Sequence, residues 1–380
     1  MHYLSDAALQ GLKEYTYKPG GYTWLDNLHN PLWNYTTSKL PMWLAPNLIT
    51  LSGLLGVVFA HMLTVIYLPD FEGRAPSWAY TLAGISVVIY ANLDCIDGKQ
   101  ARRTGSSSPL GQLFDHGCDA YVVHLLIGNI MACAGHTCGP RTVIGCVTIM
   151  LPWALAQWEE YHTGHMLYGN GYWGVLEALY GTTFFHIVTG VFGPSLWSIK
   201  LFEIGGHNFL TLDAVLSILC TTCSIQSLGQ IWRVLTLDVK DLPPKERGNK
   251  ELGGRNAAWH LGCMLFVIGF GSLWVLEPPS SAGECRAAFT TFGTAYAYIA
   301  TQLIVAHMSK IAFEPSPWAM GILFLGAVNT RLLIVNKLVF AFGALGVTAF
   351  GYMHYIVSIV RQICQFLDIW CLSIKARKTS

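Results

Sequence analysis

The stretch from Asp94 to Asp119, DCIDGKQARRTGSSSPLGQLFDHGCD, gathers the residues most able to do chemistry. Asp94 and Asp97 are three apart, and Asp115 and Asp119 four apart. Each pair therefore shares one face if both ends of the stretch are helical. Apolar runs on either side predict that these helices continue into membrane spans. A carboxylate at mid-span costs roughly 2.5–3.5 kcal/mol on insertion scales, and less near an interface. Four converging acids also repel one another unless something positive sits among them. One or two hard divalent cations meet both costs, and all-oxygen ligation suits Mg2+, Mn2+ or Ca2+. Between the pairs, Gly98 has no side chain to hold a ligand off the backbone. Ala101 is small and lies on nearly the same face, and Gly111, one turn before Asp115, offers the same space. Lys99, Arg102 and Arg103 are the cations a phosphate ligand needs beside an acidic cluster. The plainer reading is an interfacial loop with ordinary salt bridges, which the register of four acids, two glycines and an arginine outweighs.

The elements that must position these residues are read from composition and hydropathy. Of 380 residues, 53% are hydrophobic and 12% charged. That is half the usual charged share, and it predicts an all-α polytopic membrane protein. The net charge of +1 and the lack of a basic patch exclude a nucleic-acid partner. Candidate spans run over 47–68, 77–95, 118–137, 142–159, 178–198, 208–232, 256–275, 286–307, 317–330 and 337–364, about ten in all. The ninth is the shortest. Ten spans put both termini on one side. That side then carries Lys13, Lys39, Lys99, Arg102, Arg103, Arg233, Lys240, Arg247, Lys310 and Lys375 among others, against only Arg74, Arg141, Lys200, Arg286, Arg331 and Lys337 opposite. The bias predicts cytosolic termini and a cytosolic acidic motif.

Ahead of the spans, Leu4, Ala8, Leu9 and Leu12 fall at helical spacing, and Trp24, Leu28, Leu32, Trp33 and Tyr35 follow. They predict one or two amphipathic helices lying on the bilayer. No cleaved signal is expected. The organisation expected is an interfacial segment 1–42, a catalytic membrane core 43–235, a solvated cytosolic loop 236–255 and C-terminal spans 256–380. The eleven cysteines read as small core residues and not as a disulfide framework, although Cys133 and Cys138 could pair on an oxidising side. Asn47 opens the first span as either a helix cap or a ligand contact. Glu177 begins an apolar run otherwise free of charge, whereas Glu159 and Glu160 suit a solvated loop.

Asp94, Asp97-Gly98, Ala101-Arg102, Gly111, Asp115 and Asp119 resemble the signature of the CDP-alcohol phosphatidyltransferase family without a mismatch. DGKQARRT, SSSPLG, LFDHGCD and the upstream WLAPNLIT resemble its choline/ethanolamine phosphotransferase branch. The likeness is densest from Trp43 to Asp119 and thin after about Lys200. It implies transfer of phosphocholine or phosphoethanolamine from CDP-choline or CDP-ethanolamine to diacylglycerol, with release of CMP. It also implies two ions, Mg2+ or Mn2+, on Asp94, Asp97, Asp115 and Asp119. Asn47, Gly98, Lys99, Ala101, Arg102 and Gly111 would contact the CDP-alcohol. The proton of the lipid hydroxyl would pass to His116 working with Glu177, while Asp119, the base usual in the wider family, mainly binds metal. The HGCD wording implies use of both head groups. A homodimer in the endoplasmic reticulum or Golgi membrane is the implied setting. Two other readings stay open, a transferase for another CDP-alcohol and a divalent-cation transporter. A transporter would place acids near span centres on several helices, and here they cluster in one stretch.

Overall fold

The computed structural model describes residues 3–16, 21–166, 173–236 and 253–375. Each of the ten apolar stretches contains one α-helix. They are α3 (Pro46–Tyr67), α4 (Ser77–Thr104), α5 (Pro109–Ala134), α6 (Pro140–Thr163), α7 (Val175–Phe192), α8 (Thr211–Thr236), α9 (Gly253–Val275), α10 (Glu284–Met308), α11 (Pro317–Leu332) and α12 (Lys337–Leu367). Two further helices precede them, α1 (Asp6–Lys13) and α2 (Trp24–Lys39). Among the described residues, seven helices, α3, α4, α5, α7, α8, α9 and α12, are long and apolar enough to cross a bilayer. The chain is an integral membrane protein.

Proline and capping chemistry set the helix starts. Pro46, Pro109, Pro140 and Pro317 each sit in the first turn, where a missing N–H costs nothing. At the centre of the bundle, α10 is buried along almost its whole length and packs against α5, α6, α9, α11 and α12. Of the helices after residue 256, α10 and α12 pack directly on α5, one of the two helices of the acidic motif. Arg286, 7% exposed, donates to the carbonyls of Thr64, Leu68 and Pro69 at 3.2, 2.6 and 3.1 Å, and its guanidinium lies 3.7 Å from the centre of the Phe71 ring. It closes the C-terminal end of α3, where orphan carbonyls and the helix dipole both favour a cation.

Three features depart from the sequence reading. First, the chain is not wholly helical. Gly193-Pro194 ends α7 at Phe192, a 3-10 turn follows over Pro194–Ser198, and strands β1 (Lys200–Ile204) and β2 (His207–Leu210) pair antiparallel. Gly205 and Gly206, both at positive φ, form the two-residue turn between them. Second, Cys138 is disulfide-bonded to Cys285, 147 residues away, and not to Cys133. Cys133 lies in the last turn of α5 and is fully buried in the core, while Cys138 follows the helix and meets the first turn of α10. Third, Leu4, Ala8, Leu9 and Leu12, the apolar face of α1, pack into the protein's own core. By contrast α2 buries Trp33 and leaves Trp24, Leu28, Leu32 and Tyr35 exposed. Most of the expected 236–255 loop lies outside the described residues.

Candidate active site

α4 and α5 form a helical hairpin, and its bend is dictated locally. Gly105 ends α4 at φ 64°, in the left-handed region that a side chain disfavours. The Ser106 amide returns to the Ala101 carbonyl at 3.0 Å, and Ser108 Oγ accepts from the Gly111 amide at 3.2 Å, capping α5. Asp97 and Asp115 each lie about two helical turns from this bend, so folding the hairpin brings the two acid pairs level.

One carboxylate oxygen from each of Asp94, Asp97 and Asp115 lies within 4.8 Å of the others. Asp97 is 7% exposed, and Asp94 and Asp115 are half-buried. Asp94 Oδ1 and Asp115 Oδ1 are buried with no hydrogen-bond partner. Among the described residues no salt bridge reaches the three. A buried carboxylate oxygen left unpaired is costly, and here two such oxygens stand beside a third carboxylate, an arrangement that a counter-charge relieves. An all-carboxylate donor set of this spacing fits a hard divalent ion. Asp119 stands apart from the three, and its Oδ1 accepts a hydrogen bond from the Tyr90 hydroxyl of α4. Thr50, on α3, donates in the same way to Asp97 Oδ2.

The other expected residues are placed as follows. Asn47 is not a helix cap, since Ala45 holds that position; its Nδ2 donates to the Cys371 carbonyl at 2.9 Å. A Cβ built on Gly111 would lie 3.5 Å from Asn47 Oδ1, so these two residues adjoin. One built on Gly98 would meet only Arg102, at 3.5 Å, which puts the Arg102 guanidinium over the glycine beside Asp97. Ala101 lies one turn further along α4, half-buried. Lys99 turns to α2 instead, 2.6 and 2.8 Å from the side-chain oxygens of Asn30 and Asn34. Arg103 donates to the Thr37, Ser38 and Leu40 carbonyls at the end of α2. His116 is buried, one residue beyond Asp115 and so about 100° around α5. Glu177 lies in the first turn of α7, where its Oε2 accepts from the Gly174 amide at 2.9 Å; its Oε1 is buried and unpartnered. Glu159 is not a solvated loop residue, because it is 2% exposed and bound by Arg233 at 2.5 and 2.9 Å. Glu160 is buried as well.

Two residues of the site escaped the sequence reading, Thr50 and Tyr90. Tyr90 was legible as a position, since Tyr90, Asp94 and Asp97 fall four and three apart in one helical stripe. A tyrosine in an apolar run of a membrane protein has too many other uses to draw notice.

Residues 43–169 match the CDP-alcohol phosphatidyltransferase family model. Curated relatives extend over nearly the whole chain. Ethanolaminephosphotransferase 1 of Mus musculus is 31% identical over 403 aligned residues, covering 98% of this chain and 95% of the relative. Cholinephosphotransferase 1 of Xenopus laevis is 30% identical, covering 99% and 92%. Cholinephosphotransferase 1 of Saccharomyces cerevisiae is 28% identical, covering 99% of each.

Proposed function

The chain belongs to the CDP-alcohol phosphatidyltransferase family, as an enzyme of its choline/ethanolamine phosphotransferase branch, and on that premise we propose the reaction it carries out. It transfers phosphocholine and phosphoethanolamine from the CDP-alcohols to the free hydroxyl of diacylglycerol, releasing CMP. The observation that carries this reading is the trio Asp94, Asp97 and Asp115, close-set, partly unpaired and standing on the hairpin that the family model spans.

In this proposal Asp94, Asp97, Asp115 and Asp119 hold two Mg2+ or Mn2+ ions. Such ions, when bound, neutralise the pyrophosphate and the departing phosphate. Asn47 and Gly111 line the nucleotide side, Gly98 and Ala101 leave room for the phosphates, and Arg102 braces them, with Lys99 beyond. A lipid hydroxyl is a poor nucleophile, and His116, supported by Glu177, takes its proton. The diacylglycerol oxygen bonds to the β-phosphorus as the bond from that phosphorus to the bridging oxygen breaks. The electron pair leaves with CMP.

The ten helices α3 to α12 are assigned as spans, with α2 on the membrane surface through its exposed Trp24, Leu28, Leu32 and Tyr35. Residues 43–235 form the catalytic core and 256–380 the lipid-access and dimer region of a homodimer. The active site faces the cytosol of an endoplasmic reticulum or Golgi membrane. Two observations support that orientation. Basic residues favour the motif side, and the Cys138–Cys285 disulfide follows the opposite end of α5, where an oxidising compartment would preserve it.

The test uses purified protein in detergent with diacylglycerol, Mg2+ and radiolabelled CDP-choline or CDP-ethanolamine. Labelled phospholipid and CMP should form with each donor, stop on chelation, and vanish in Asp97→Ala. Folded protein inactive with both donors would refute the proposal. Complete exclusion of one donor would refute the dual use.

A further inference from the structure

We infer that Tyr90 is a positioning residue for the acidic cluster. Its phenol commits one oxygen of Asp119 to the protein and leaves the other to face a divalent ion. The inference rests on the metal-binding reading of the aspartates given above.

Tyr90 begins the stripe that Asp94 and Asp97 continue along α4, yet its hydroxyl reaches across to Asp119 Oδ1 on α5. The ring is 2% exposed and lies among Val57, Val87, Val122, Leu125 and Leu126. It can lie there because α3 approaches through Gly53, where a Cβ would be 3.2 Å from Tyr90 Cδ2 and 3.5 Å from its Cα. A ring packed on all sides keeps one rotamer. Packing therefore sets the direction of the O–H, and the carboxylate must orient to meet it. Asp119 loses rotation about its own side chain and presents Oδ2.

α3 contributes twice. Thr50 precedes Gly53 by three residues, hence on the same face, and its hydroxyl donates to Asp97 Oδ2. A helix with no acid of its own thus sets the direction of two of the four. Asp119 is also the acid that lies outside the close trio, so the tyrosine holds the fourth carboxylate at its separate station. The phenol touches no reacting atom, and it acts only through Asp119. Hydrogen bonds of this outer kind orient metal ligands, and removing one typically weakens metal binding about 10–100-fold.

The test is Tyr90→Phe, which deletes one oxygen and keeps the ring. Mn2+ binding is titrated by electron paramagnetic resonance on purified protein in detergent, alongside the Mg2+ dependence of turnover and the ion-free unfolding midpoint. The Mn2+ dissociation constant should rise about 10–100-fold, and the Mg2+ needed for half-maximal rate should rise with it. The ion-free midpoint should stay near wild type. Thr50→Val should weaken Mn2+ binding in the same direction, and Gly53→Ala, which pushes on the ring, should do so with the tyrosine intact. Unchanged Mn2+ affinity in Tyr90→Phe overturns the inference. So does affinity lost together with the ion-free midpoint in all three variants, which would mark general loosening. Wild-type protein that binds no Mn2+ overturns the metal reading itself, and the inference with it.

Discussion

Asp115→Asn keeps the size of the side chain and removes one negative charge from a site that must otherwise hold several. At separations of no more than 4.8 Å and an effective dielectric of about 20, each ionised pair repels by at least about 3.5 kcal/mol. Asp115 takes part in two such pairs, and relaxation and water reduce the net effect to a few kcal/mol. The expectation runs against the usual outcome for a buried substitution. Without divalent ions, Asp115→Asn should unfold at a higher temperature than wild type. Each kcal/mol moves the midpoint by about 2–4 °C in chains of 150–250 residues, and by less in longer ones, so the gain should be a few degrees. Adding Mg2+ or Mn2+ should raise the wild-type midpoint, because an ion that binds only the folded state stabilises it. The variant should gain little, and its turnover should fall by about 100-fold or more. The assay is thermal unfolding in detergent followed by tryptophan fluorescence, with chelator and then with Mn2+. An ion-free variant less stable than wild type, or equal ion-induced gains in both proteins, would refute the electrostatic reasoning.

Further outcomes follow from the frame around the site. Cys285→Ser should lower the unfolding midpoint, since the disulfide closes a separation of 147 residues and a loop of that length implies about 5 kcal/mol in the chain-entropy model. Activity of the folded fraction should persist, because the bond follows the end of α5 remote from Asp115. Arg233→Met should destabilise by about 3 kcal/mol by leaving Glu159 buried and unpaired, and the double variant Arg233→Met/Glu159→Leu should recover most of the loss in chemical denaturation. Arg286→Met should lower the midpoint too, because each orphaned carbonyl at the end of α3 costs about 1–3 kcal/mol. Asn47→Ala should raise KM for the CDP-alcohol more than it lowers kcat, as measured by steady-state kinetics with each donor.

Much of the architecture was legible because its cause is local. Ten apolar stretches bounded by proline, glycine and charge became ten helices, and DxxD and DxxxD came level because a Gly105–Ser108 bend leaves few other choices. What escaped was decided by contacts distant in sequence. The stripe of Leu4, Ala8, Leu9 and Leu12 has the spacing of a surface helix whether it meets lipid or protein; only the presence of α10 and α12 beside it decides. Cys138 could not reveal Cys285, since sequence spacing says nothing about which loops meet at one end of a bundle. Glu159 and Glu160 read as solvated because glutamate usually is, and only α8 supplied Arg233. Tyr90 and Thr50 are ordinary residues for a membrane helix until the hairpin sets Asp119 and Asp97 against them. The Gly205-Gly206 turn, by contrast, was available in the sequence and was passed over as a plain connection between the stretches 178–198 and 208–232.

The most direct measurement follows the oxygen of the acceptor. Diacylglycerol labelled with 18O at its free hydroxyl is incubated with CDP-ethanolamine, Mg2+ and either wild-type protein or Asp97→Ala, and products are resolved by mass spectrometry. The account predicts phospholipid that retains the 18O and CMP that carries none, with neither product from Asp97→Ala. Label in CMP, phospholipid without label, or undiminished product from Asp97→Ala would contradict attack by the lipid hydroxyl on the β-phosphorus at this site.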